Sequence, residues 1–499
     1  MTNQLAERSW RQLAQELPID GRAIINGERK NASDNATFAS YSPIDGSHLA
    51  DIASCTAQDV EQAVAAARRV FNEGSWSRIG AVARKQALLH LADLMEEHSD
   101  LLALLDSLDM GKPIAQSTVV DAPGSVETFR WYAELVDKIT DEVPATPPGS
   151  TAMVTREPLG VVAVITPWNY PLEIAAWKLA PALAAGNSVI LKPAAQSTLS
   201  ALLLGDLALK AGIPAGVLNV VPGSGRVVGE GLALHMDVDA LAFTGSTAVA
   251  KRLLECSGKS NMKRLSLEAG GKSANLVFDD VEDLETAAAK AAFGAFYNQG
   301  EVCSANSRVL VQRGVYERFL EAFARHSADY LPGDPLDQDH QGAGALVSRE
   351  HAEDVQRAIE GARGDGQIVA GGQRLNINGS DAYIEPTIIA DLPAEHPLHR
   401  TEIFGPVATV SVFDTEEEAI ALANNTEYGL AASLWTSNLS RAHRVASRLV
   451  AGTVSVNTVD ALGLTTPFGG FKQSGFGRDL SAHALDNYVG LKTTWFQHG

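Results

Sequence analysis

The feature that most constrains the fold is an alternation of short apolar runs with longer Ala/Leu-rich stretches between residues 161 and 245. The apolar runs read as buried strands, and the stretches between the first three of them, 172–186 and 197–212, end at a glycine and read as helices. The strand-like runs are 161–167, 188–193, 217–223 and 240–245. This order predicts a parallel, doubly wound α/β sheet. The carboxyl ends of its strands then share one edge, where ligands bind.

A second α/β region is expected after about residue 270. Residues 274–278 and 453–458 read as strands, and the Ala-rich run 281–300 reads as a helix leading towards Cys303. Near the amino terminus, 56–71 is expected to form an amphipathic helix capped by Thr56, and a further helical stretch begins at Ala83. The tail LKTTWF is β-like but has no obvious partner nearby in the sequence.

Composition excludes several classes of protein. The 499 residues carry 40 Lys and Arg against 60 Asp and Glu, a net charge of −20, so a broad nucleic-acid surface is not expected. No run of about 18 apolar residues is present, and the amino terminus lacks the apolar stretch of a signal peptide. The three cysteines are far apart in sequence, so we expect a reducing, cytoplasmic location without disulfides.

Most short motifs fail. GSGRVVG (223–229) is one residue too long for the dinucleotide fingerprint, so a phosphate-facing turn and an ordinary turn are about equally compatible with it. Gly271-Lys272-Ser273 resembles the end of a P-loop, but Ser266 replaces the required glycine. The histidines lack metal-ligand spacing, and no G-x-S-x-G sequence occurs, so neither a metal nor a serine nucleophile is expected.

Three residues are candidates for catalysis, each with an ordinary structural alternative. Cys303 lies among small and polar residues, which suits a nucleophile, although an isolated Cys is most often a buried small side chain. Glu268 precedes Ala269-Gly270-Gly271 and has room to move; the alternative is a solvated loop residue. Asn169, between two prolines, can offer an amide N–H to an oxyanion or simply form a turn.

Around these positions, six motifs occur in an order that resembles the NAD(P)-dependent aldehyde dehydrogenase superfamily. They are TPWNYP, FTGST, LEAGGKS, NQGEVCSANSR, EIFGPV (402–407) and PFGGFKQSGFGRD (467–479). The resemblance extends from about residue 25 to 495. The ordered set is very specific, and its C-terminal part is most similar to the bacterial γ-glutamyl-γ-aminobutyraldehyde and 4-guanidinobutyraldehyde dehydrogenase subgroup.

The resemblance implies a covalent mechanism. Cys303 attacks the aldehyde, the Asn169 side chain and the Cys303 backbone N–H hold the oxyanion, and Glu268 activates the water that releases the acid. Lys178 matches a family lysine paired with an acid near the C-terminus, here Asp479. This pair is expected to relay protons, and the alternative is a surface ion pair.

The resemblance also implies cofactor contacts. Lys192 is expected to reach the adenosine ribose, Glu402 the nicotinamide ribose and Ser246 the pyrophosphate. Many family members have Glu where this chain has Ala195, and without that carboxylate a 2′-phosphate is not repelled, so NAD is expected first and NADP is compatible. The full set of expected contacts is Ile165, Thr166, Pro167, Trp168, Lys192, Gly229, Phe243, Gly245, Ser246, Leu267, Glu402 and Phe404.

Three acidic residues fall in the expected substrate tunnel. Glu173 lies one helical turn before Trp177, an arrangement that suits a cationic tail, although Glu173 can equally face solvent or an arginine. We therefore expect an ω-amino or ω-guanidino aldehyde from polyamine or arginine breakdown. The expected tunnel residues are Val120, Asp121, Gly124, Tyr170, Glu173, Trp177, Tyr297, Val302, Ser304, Asp460, Leu462 and Phe468.

The implied fold has three parts. We expect a Rossmann-like cofactor domain (1–140 and 161–270), an α/β catalytic domain (271–480) and a small β domain (141–160 and 481–499) that assembles a homodimer or tetramer. A broad-specificity aliphatic aldehyde dehydrogenase is the alternative within the class. A cofactor-independent cysteine esterase and a non-catalytic protein of the same fold are the alternatives outside it.

Overall fold

A computed structural model describes residues 9–498. Residues 1–8 of the expected cofactor domain and residue 499 of the expected β domain lie outside the described part. The amino-terminal segment expected not to be a signal peptide therefore lies partly outside it. The larger sheet has eight strands, and its five central strands are parallel. In spatial order they are Glu28–Lys30, Ala23–Ile25, Leu218–Val220, Ser188–Lys192, Val161–Ile165, Ala240–Thr244, Arg264–Glu268 and Gly475–Phe476.

The smaller sheet has seven strands, of which only the first runs antiparallel to its neighbour. It contains the two strands expected in the second half of the chain. In spatial order the strands are Gln367–Ala370, Thr387–Ala390, Val407–Phe413, Arg308–Gln312, Ala274–Val277, Ala431–Trp435 and Thr453–Val456.

Helices cover both faces of the central strands of the larger sheet. Every residue of Val161–Ile165, Ser188–Lys192 and Ala240–Thr244 is consequently buried, which explains their continuous apolar character. The α-helices are Trp10–Glu16, Ala57–Glu73, Ala81–Glu97, Ser99–Met110, Ile114–Gln116, Ala122–Leu135, Pro171–Ala184, Leu199–Lys210, Glu230–Leu234, Thr247–Lys259, Leu284–Phe296, Tyr316–Ser327, Arg349–Ala362, Glu416–Asn424 and Leu439–Ala446.

Three antiparallel pairs of strands complete the structure. The β-like tail, Val489–Gln497, pairs over nine residues with Ser150–Pro158, a segment that is far from it in the sequence. This is the pair of segments expected to form the small β domain. The other two pairs are hairpins: Thr37–Tyr41 with His48–Ala53, and Arg374–Ile377 with Ser380–Ile384.

Most local expectations are confirmed, but the helix expected over 281–300 occupies only Leu284–Phe296, because residues 298–300 form a left-handed turn. Two further differences concern the stretch from Ala83 and the segment that ends at Glu268. The helix capped by Thr56 forms a capping box with Asp59 and ends at Gly74 in a left-handed conformation. The stretch from Ala83 is two helices that meet at His98, whose backbone is not helical. Arg264–Glu268 is a strand, whereas the alternative for Glu268 was a loop. Within residues 9–498, no helix combines the length and apolar character needed to cross a bilayer.

Candidate active site

The carboxyl ends of three parallel strands meet Cys303 around one cavity. The strands Val161–Ile165, Ala240–Thr244 and Arg264–Glu268 each run directly into residues that line it or lie beside it. The cavity has a volume of about 220 Å³, and we call it the Trp168 cavity. Its lining residues are Pro167, Trp168, Asn169, Thr244, Gly245, Ser246, Ala269, Gly270, Cys303, His351, Glu402 and Phe404.

Cys303 is positioned by a tight turn that follows the helix Leu284–Phe296. Asn298, Gln299 and Gly300 have φ values of 49°, 57° and 69°, a run of left-handed backbone that is costly for the two non-glycine residues. Side chains tie this turn to residues 344–347: Gln299 Oε1 accepts from the Gly344 N–H at 3.1 Å, and Glu301 Oε1 accepts from the Val347 N–H at 3.0 Å. The turn therefore presents Cys303 from a fixed backbone.

The same turn orients Asn169. Its Nδ2 donates to the Glu301 carbonyl oxygen at 2.8 Å, and Asn298 Nδ2 donates to the Asn169 carbonyl oxygen at 3.2 Å. A side-chain amide carries two N–H donors, so one remains for a ligand oxygen. Asn169 lines the cavity together with Cys303, and the geometry suits an oxyanion site. The expectation of a simple turn residue does not account for this buried arrangement.

The Cys303 thiol is in an unfavourable environment for a thiolate. Burial raises its pKa well above the usual value, and the carboxyl groups of Asp460, Glu402 and Glu268 raise the pKa further. The backbone N–H of Ser304 acts in the opposite direction. On its other side, Cys303 packs against an apolar group that includes Trp177, Leu430 and Phe468. The nucleophile therefore needs help from a base or a bound positive charge.

Glu268 is a buried carboxyl at the end of its strand, with 2% of the residue exposed. Neither carboxyl oxygen has a hydrogen-bond partner within residues 9–498. Burial raises its pKa well above the usual value, Asp479 raises the pKa further, and Lys178 and Arg478 lower it. A Cβ on Gly469 would lie 2.7 Å from Glu268 Oε1, so glycine there leaves room for the carboxyl group. The alternative of a solvated loop residue is wrong.

Lys178 and Asp479 form the expected pair, with Nζ and Oδ2 2.8 Å apart. Their side chains are 0% and 2% exposed, so the alternative of a surface ion pair is also wrong. The pair joins the helix Pro171–Ala184 to the C-terminal segment, where Asp479 exchanges two backbone hydrogen bonds with Phe468. Because both charges act on Glu268, the pair adjusts how readily that carboxyl loses its proton.

Groups suited to a dinucleotide line the Trp168 cavity or lie at the same edge of the larger sheet. Ser246 caps the 13-residue helix Thr247–Lys259, whose amino terminus favours an anion. Lys192 is buried, its Nζ donates to the Pro193 carbonyl oxygen at 2.9 Å, and burial lowers its pKa to about 8. Glu402 Oε1 accepts from the Gly271 N–H at 3.0 Å, and burial raises its pKa to about 7. A Cβ on Gly270 would lie 2.1 Å from Glu402 Oε2, so only glycine permits this approach.

Aromatic rings form one wall of the cavity. Trp168 makes edge contacts with Phe404 at 5.1 Å and with His351 at 5.4 Å between ring centroids. His351 Nε2 hydrogen-bonds the Phe404 carbonyl oxygen at 2.7 Å. The sequence interpretation missed His351, because it lies in the first turn of an otherwise ordinary amphipathic helix. Thr244, Ala269 and Gly270 also line the cavity without having been expected.

The expected cofactor contacts divide into two groups. The six that line the cavity are Pro167, Trp168, Gly245, Ser246, Glu402 and Phe404. Ile165, Phe243 and Leu267 belong to one buried core cluster beneath the sheet edge, and Gly229 lies against Ile165, since its Cβ would be 3.8 Å from Ile165 Cδ1. Thr166 and Lys192 are buried and joined by a backbone hydrogen bond, but neither lines the cavity.

Acidic side chains gather around Glu173: Asp106 and Asp121 are buried, and Glu173 and Asp460 are partly buried. These four carboxyl groups lie close enough for the other three to influence the pKa of Glu173, and we call them the acidic cluster: Asp106, Asp121, Glu173 and Asp460. Burial is the main cause that raises the pKa of Asp106 to about 7 and of Glu173 to about 8, with Asp121 adding to both shifts. The hydroxyls of Tyr170 and Tyr297 face the same charges.

One cation, Lys112, is paired with the acidic cluster. Its Nζ lies 2.5 Å from Asp121 Oδ1 and 3.6 Å from the centre of the Tyr170 ring, and both partners in the ion pair are fully buried. Neither Lys112 nor Asp106 was expected from the sequence, because no local motif marks them. Four carboxyl groups and one ammonium leave the region with more acidic than basic groups.

The remaining expected tunnel residues have varied positions. Trp177 and Phe468 contact each other beside Cys303, with ring centroids 5.6 Å apart. Ser304 Oγ donates to Asp460 Oδ1 at 2.7 Å. A Cβ on Gly124 would lie 3.2 Å from Glu173 Oε1. Val302 lies in a small cavity with Glu402 and Phe404, and Val120 and Leu462 are 39% and 43% exposed.

Comparison with known proteins gives the family. The model of the aldehyde dehydrogenase family matches residues 30–494. The NADP/NAD-dependent aldehyde dehydrogenase PuuC of Escherichia coli is 49% identical, over 97% of each chain. The structure of γ-glutamyl-γ-aminobutyraldehyde dehydrogenase from Burkholderia cenocepacia superposes with a TM-score of 0.96 at 50% identity, over 98% of this chain and 99% of that one. Indole-3-acetaldehyde dehydrogenase of P. syringae, solved as a cysteine-to-alanine mutant in complex with NAD+ and IAA, has the same TM-score at 51% identity, again over 98% and 99%.

The chain therefore belongs to the aldehyde dehydrogenase family. The expected α/β fold is confirmed by the sheet order and by the superposition on solved structures of the family. The expected class of enzyme, an NAD(P)-dependent aldehyde dehydrogenase, is confirmed as well.

Proposed function

We propose that the chain oxidises an ω-amino or ω-guanidino aldehyde to the carboxylic acid, with NAD as the first cofactor and NADP as a second. Candidate substrates are 4-guanidinobutyraldehyde, γ-glutamyl-γ-aminobutyraldehyde and 3-aminopropanal. The observation that carries the substrate class is the acidic cluster, in which four carboxyl groups, two buried and two partly buried, lie with the ammonium of Lys112, and whose Asp460 acts on Cys303. Such a region favours a cationic tail, and Trp177 adds an aromatic face nearby.

The proposed reaction begins at Cys303. Its thiolate adds to the aldehyde carbon and forms a thiohemiacetal, whose oxyanion is held by the free Asn169 amide N–H and the Cys303 backbone N–H. When bound in the Trp168 cavity, the cofactor supplies the nicotinamide ring that accepts the hydride. Loss of the hydride leaves a thioester on Cys303, and water must then cleave it.

Glu268 is the proposed base for that water. It must be ionised to accept a proton, and its raised pKa means that deacylation speeds up as the pH rises through that pKa. Lys178 favours the ionised form of Glu268 and Asp479 opposes it, so the buried pair influences the pKa of Glu268. We propose that this pair also relays the proton onwards.

The Trp168 cavity is the proposed site for the nicotinamide half of the cofactor. Glu402 would hold the ribose hydroxyls, the amino terminus of Thr247–Lys259 the pyrophosphate, and Lys192 the adenosine ribose. Ala195 supports the use of NADP, because it places no carboxylate near a 2′-phosphate. Ala195→Glu should weaken NADP binding about tenfold relative to NAD, which titrations of both cofactors would measure.

Substrate preference tests the proposed class. For wild type, kcat/KM for 4-guanidinobutyraldehyde should exceed that for a neutral aldehyde of equal length, and Glu173→Gln should reduce this preference about tenfold. Because the pKa of Glu173 is about 8, the wild-type preference should rise as the pH passes 8 and the carboxyl ionises. Glu127→Gln removes an exposed carboxyl from a neighbouring helix and serves as the matched control. Equal preference in wild type and Glu173→Gln would contradict the assignment.

A neutral aromatic or aliphatic aldehyde is the second candidate substrate class. The specific observation in its favour is the apolar wall beside Cys303, formed by Trp177, Phe468, Leu430 and Leu480. The same kinetic panel separates the two: a neutral preference that is indifferent to Glu173→Gln would favour this candidate. A cofactor-independent esterase would instead turn over esters without NAD(P).

We propose a homodimer or tetramer assembled through the antiparallel pair of strands Ser150–Pro158 and Val489–Gln497. Its side chains Leu491, Trp495 and Phe496 are 67%, 59% and 49% exposed, an apolar surface that a second copy would cover. The division into a cofactor domain (1–140, 161–270), a catalytic domain (271–480) and this β domain (141–160, 481–499) is part of the proposal. Light scattering measures the assembly, and the cytoplasmic location stays a prediction.

A further inference from the structure

Asp460 connects the nucleophile to the acidic cluster. Its Oδ1 accepts a hydrogen bond from Ser304 Oγ at 2.7 Å, and Ser304 directly follows Cys303. Because Ser304 is the next residue in the chain after Cys303, this bond places the Asp460 carboxyl group beside the immediate neighbour of the nucleophile. Asp460 itself has a left-handed backbone, with φ of 46°, which is unusual for a non-glycine residue.

The charges around Cys303 all have one sign. Asp460, Glu402 and Glu268 are the charged side chains that act on the thiol, and among them Asp460 has the largest effect. Each opposes loss of the thiol proton. Without a ligand, the nucleophile is therefore held back by a carboxylate on its substrate side.

Asp460 also faces the place proposed for the substrate tail. Its charge acts on Tyr170, Glu173 and Tyr297, which surround the tunnel from other elements. Lys112 is already paired with Asp121, and within residues 9–498 no Lys, Arg or His forms an ion pair with Asp460. The Ser304 hydroxyl is a neutral partner, so the charge of Asp460 is left for a ligand to neutralise.

We propose that Asp460 binds the cationic tail of the aldehyde and that the bound tail, by neutralising this carboxylate, favours the thiolate of Cys303. The inference rests on the proposed cationic substrate. The tail thereby takes part in activating the nucleophile. When a neutral aldehyde binds, Cys303 stays mainly in the thiol form, whereas binding of a cationic aldehyde favours the thiolate that attacks its carbonyl carbon. Thiolate formation releases the thiol proton to solvent.

The test follows the ionisation of Cys303 in the enzyme without cofactor. The rate of alkylation by iodoacetamide is measured against pH, with the modified peptide quantified by mass spectrometry, since Cys55 and Cys256 are buried. The ligand is n-butylguanidinium, and n-butylurea is its neutral counterpart of the same shape. Calorimetry determines the affinity of both ligands, so that each is used at saturation where it binds.

The expected result is a lower alkylation midpoint, by on the order of one pH unit, with butylguanidinium and no change with butylurea. Asp460→Asn should start at the lower midpoint and show no further response to the guanidinium. Glu127→Gln should behave as wild type. The comparison of the two ligands on wild type stands even if Asp460→Asn fails to fold.

Two results would overturn the inference in distinguishable ways. If butylguanidinium binds more tightly than butylurea but leaves the midpoint in place, the coupling to Cys303 is wrong and the cationic substrate class survives. If the two ligands bind equally well, the cationic class fails and the inference fails with it. An unchanged midpoint in folded Asp460→Asn, without ligand, also contradicts the role of Asp460.

Discussion

The Trp168 cavity and the acidic cluster both involve Cys303, which lines the cavity and feels the charge of Asp460, and different kinds of groups form them. The cavity is lined by aromatic rings, glycines, a helix amino terminus and one carboxyl group, Glu402. The acidic cluster consists of four carboxyl groups brought together from distant segments, and Lys112 is paired with one of them, Asp121. A cofactor common to a whole family suits a surface built largely from backbone and rings, whereas a particular substrate tail suits side-chain charges that are easily changed.

The largest expected effect separates chemistry from binding. Cys303→Ala should lower NAD(P)-dependent aldehyde oxidation by about 10⁴-fold or more, because the thiohemiacetal needs a thiol at the site and the other two, Cys55 and Cys256, are buried elsewhere. Cofactor affinity, measured by calorimetry, should remain within a few-fold, since the rest of the Trp168 cavity is intact. Substantial oxidation by the folded variant would contradict the role of the thiol.

Glu268→Gln should slow only the second half of the reaction. Roughly one equivalent of NADH per active site should appear in a fast burst, followed by a steady state about 10²- to 10⁴-fold slower, because the water loses its base. Stopped-flow absorbance measures both phases. A missing burst would instead place Glu268 in the first half, with activation of Cys303.

The buried ion pair beneath the site should matter for stability and for Glu268. Lys178→Met leaves Asp479 buried and uncompensated, and should cost roughly 3–5 kcal/mol in the free energy of unfolding. It should also raise the pKa of Glu268 and move the pH profile of deacylation upwards, whereas Asp479→Asn should move it downwards.

The double variant Lys178→Met/Asp479→Asn is the control, because removing both charges avoids an unpaired buried ion. Its stability should lie closer to wild type than that of either single variant. Denaturant unfolding and single-turnover pH profiles give the two readouts. Additive losses in the double variant would show that the two residues do not act as a pair.

The smallest effect concerns the cofactor side. The lowered pKa of Lys192, about 8, means that its ammonium is lost as the pH rises through this value, so cofactor binding should weaken above pH 8. The change should be about tenfold at most, the value of one charged hydrogen bond. Lys192→Gln should bind more weakly at pH 7 and show little of this pH dependence; an equally strong pH dependence in the variant would implicate another group.

The Trp168 cavity and the acidic cluster also differ in how well the sequence predicts them. The strands Val161–Ile165, Ser188–Lys192 and Ala240–Thr244 are continuous apolar runs with clear ends, and the polar residues that follow the first and third line the cavity. Lys112, Asp106 and His351 were missed because each lies in an ordinary local sequence and gains its neighbours only through tertiary packing. The strand Arg264–Glu268 was missed because its sequence, RLSLE, alternates polar and apolar residues and is not a continuous apolar run.

Burial was the property hardest to foresee. Lys178 and Asp479 are about 300 residues apart, and their contact excludes water only because the C-terminal segment folds back over the helix Pro171–Ala184. The motif resemblance paired them correctly, but their full burial, and with it their influence on Glu268, is a property of the folded chain.

The central claim is that Cys303 is acylated while the cofactor is reduced, and the intact mass of Glu268→Gln tests it most directly. After mixing with NAD and 4-guanidinobutyraldehyde, the protein should gain the mass of the aldehyde less that of H₂, located on the Cys303 peptide, as NADH appears. NADH formation without this adduct, or an adduct on another residue, would contradict the account.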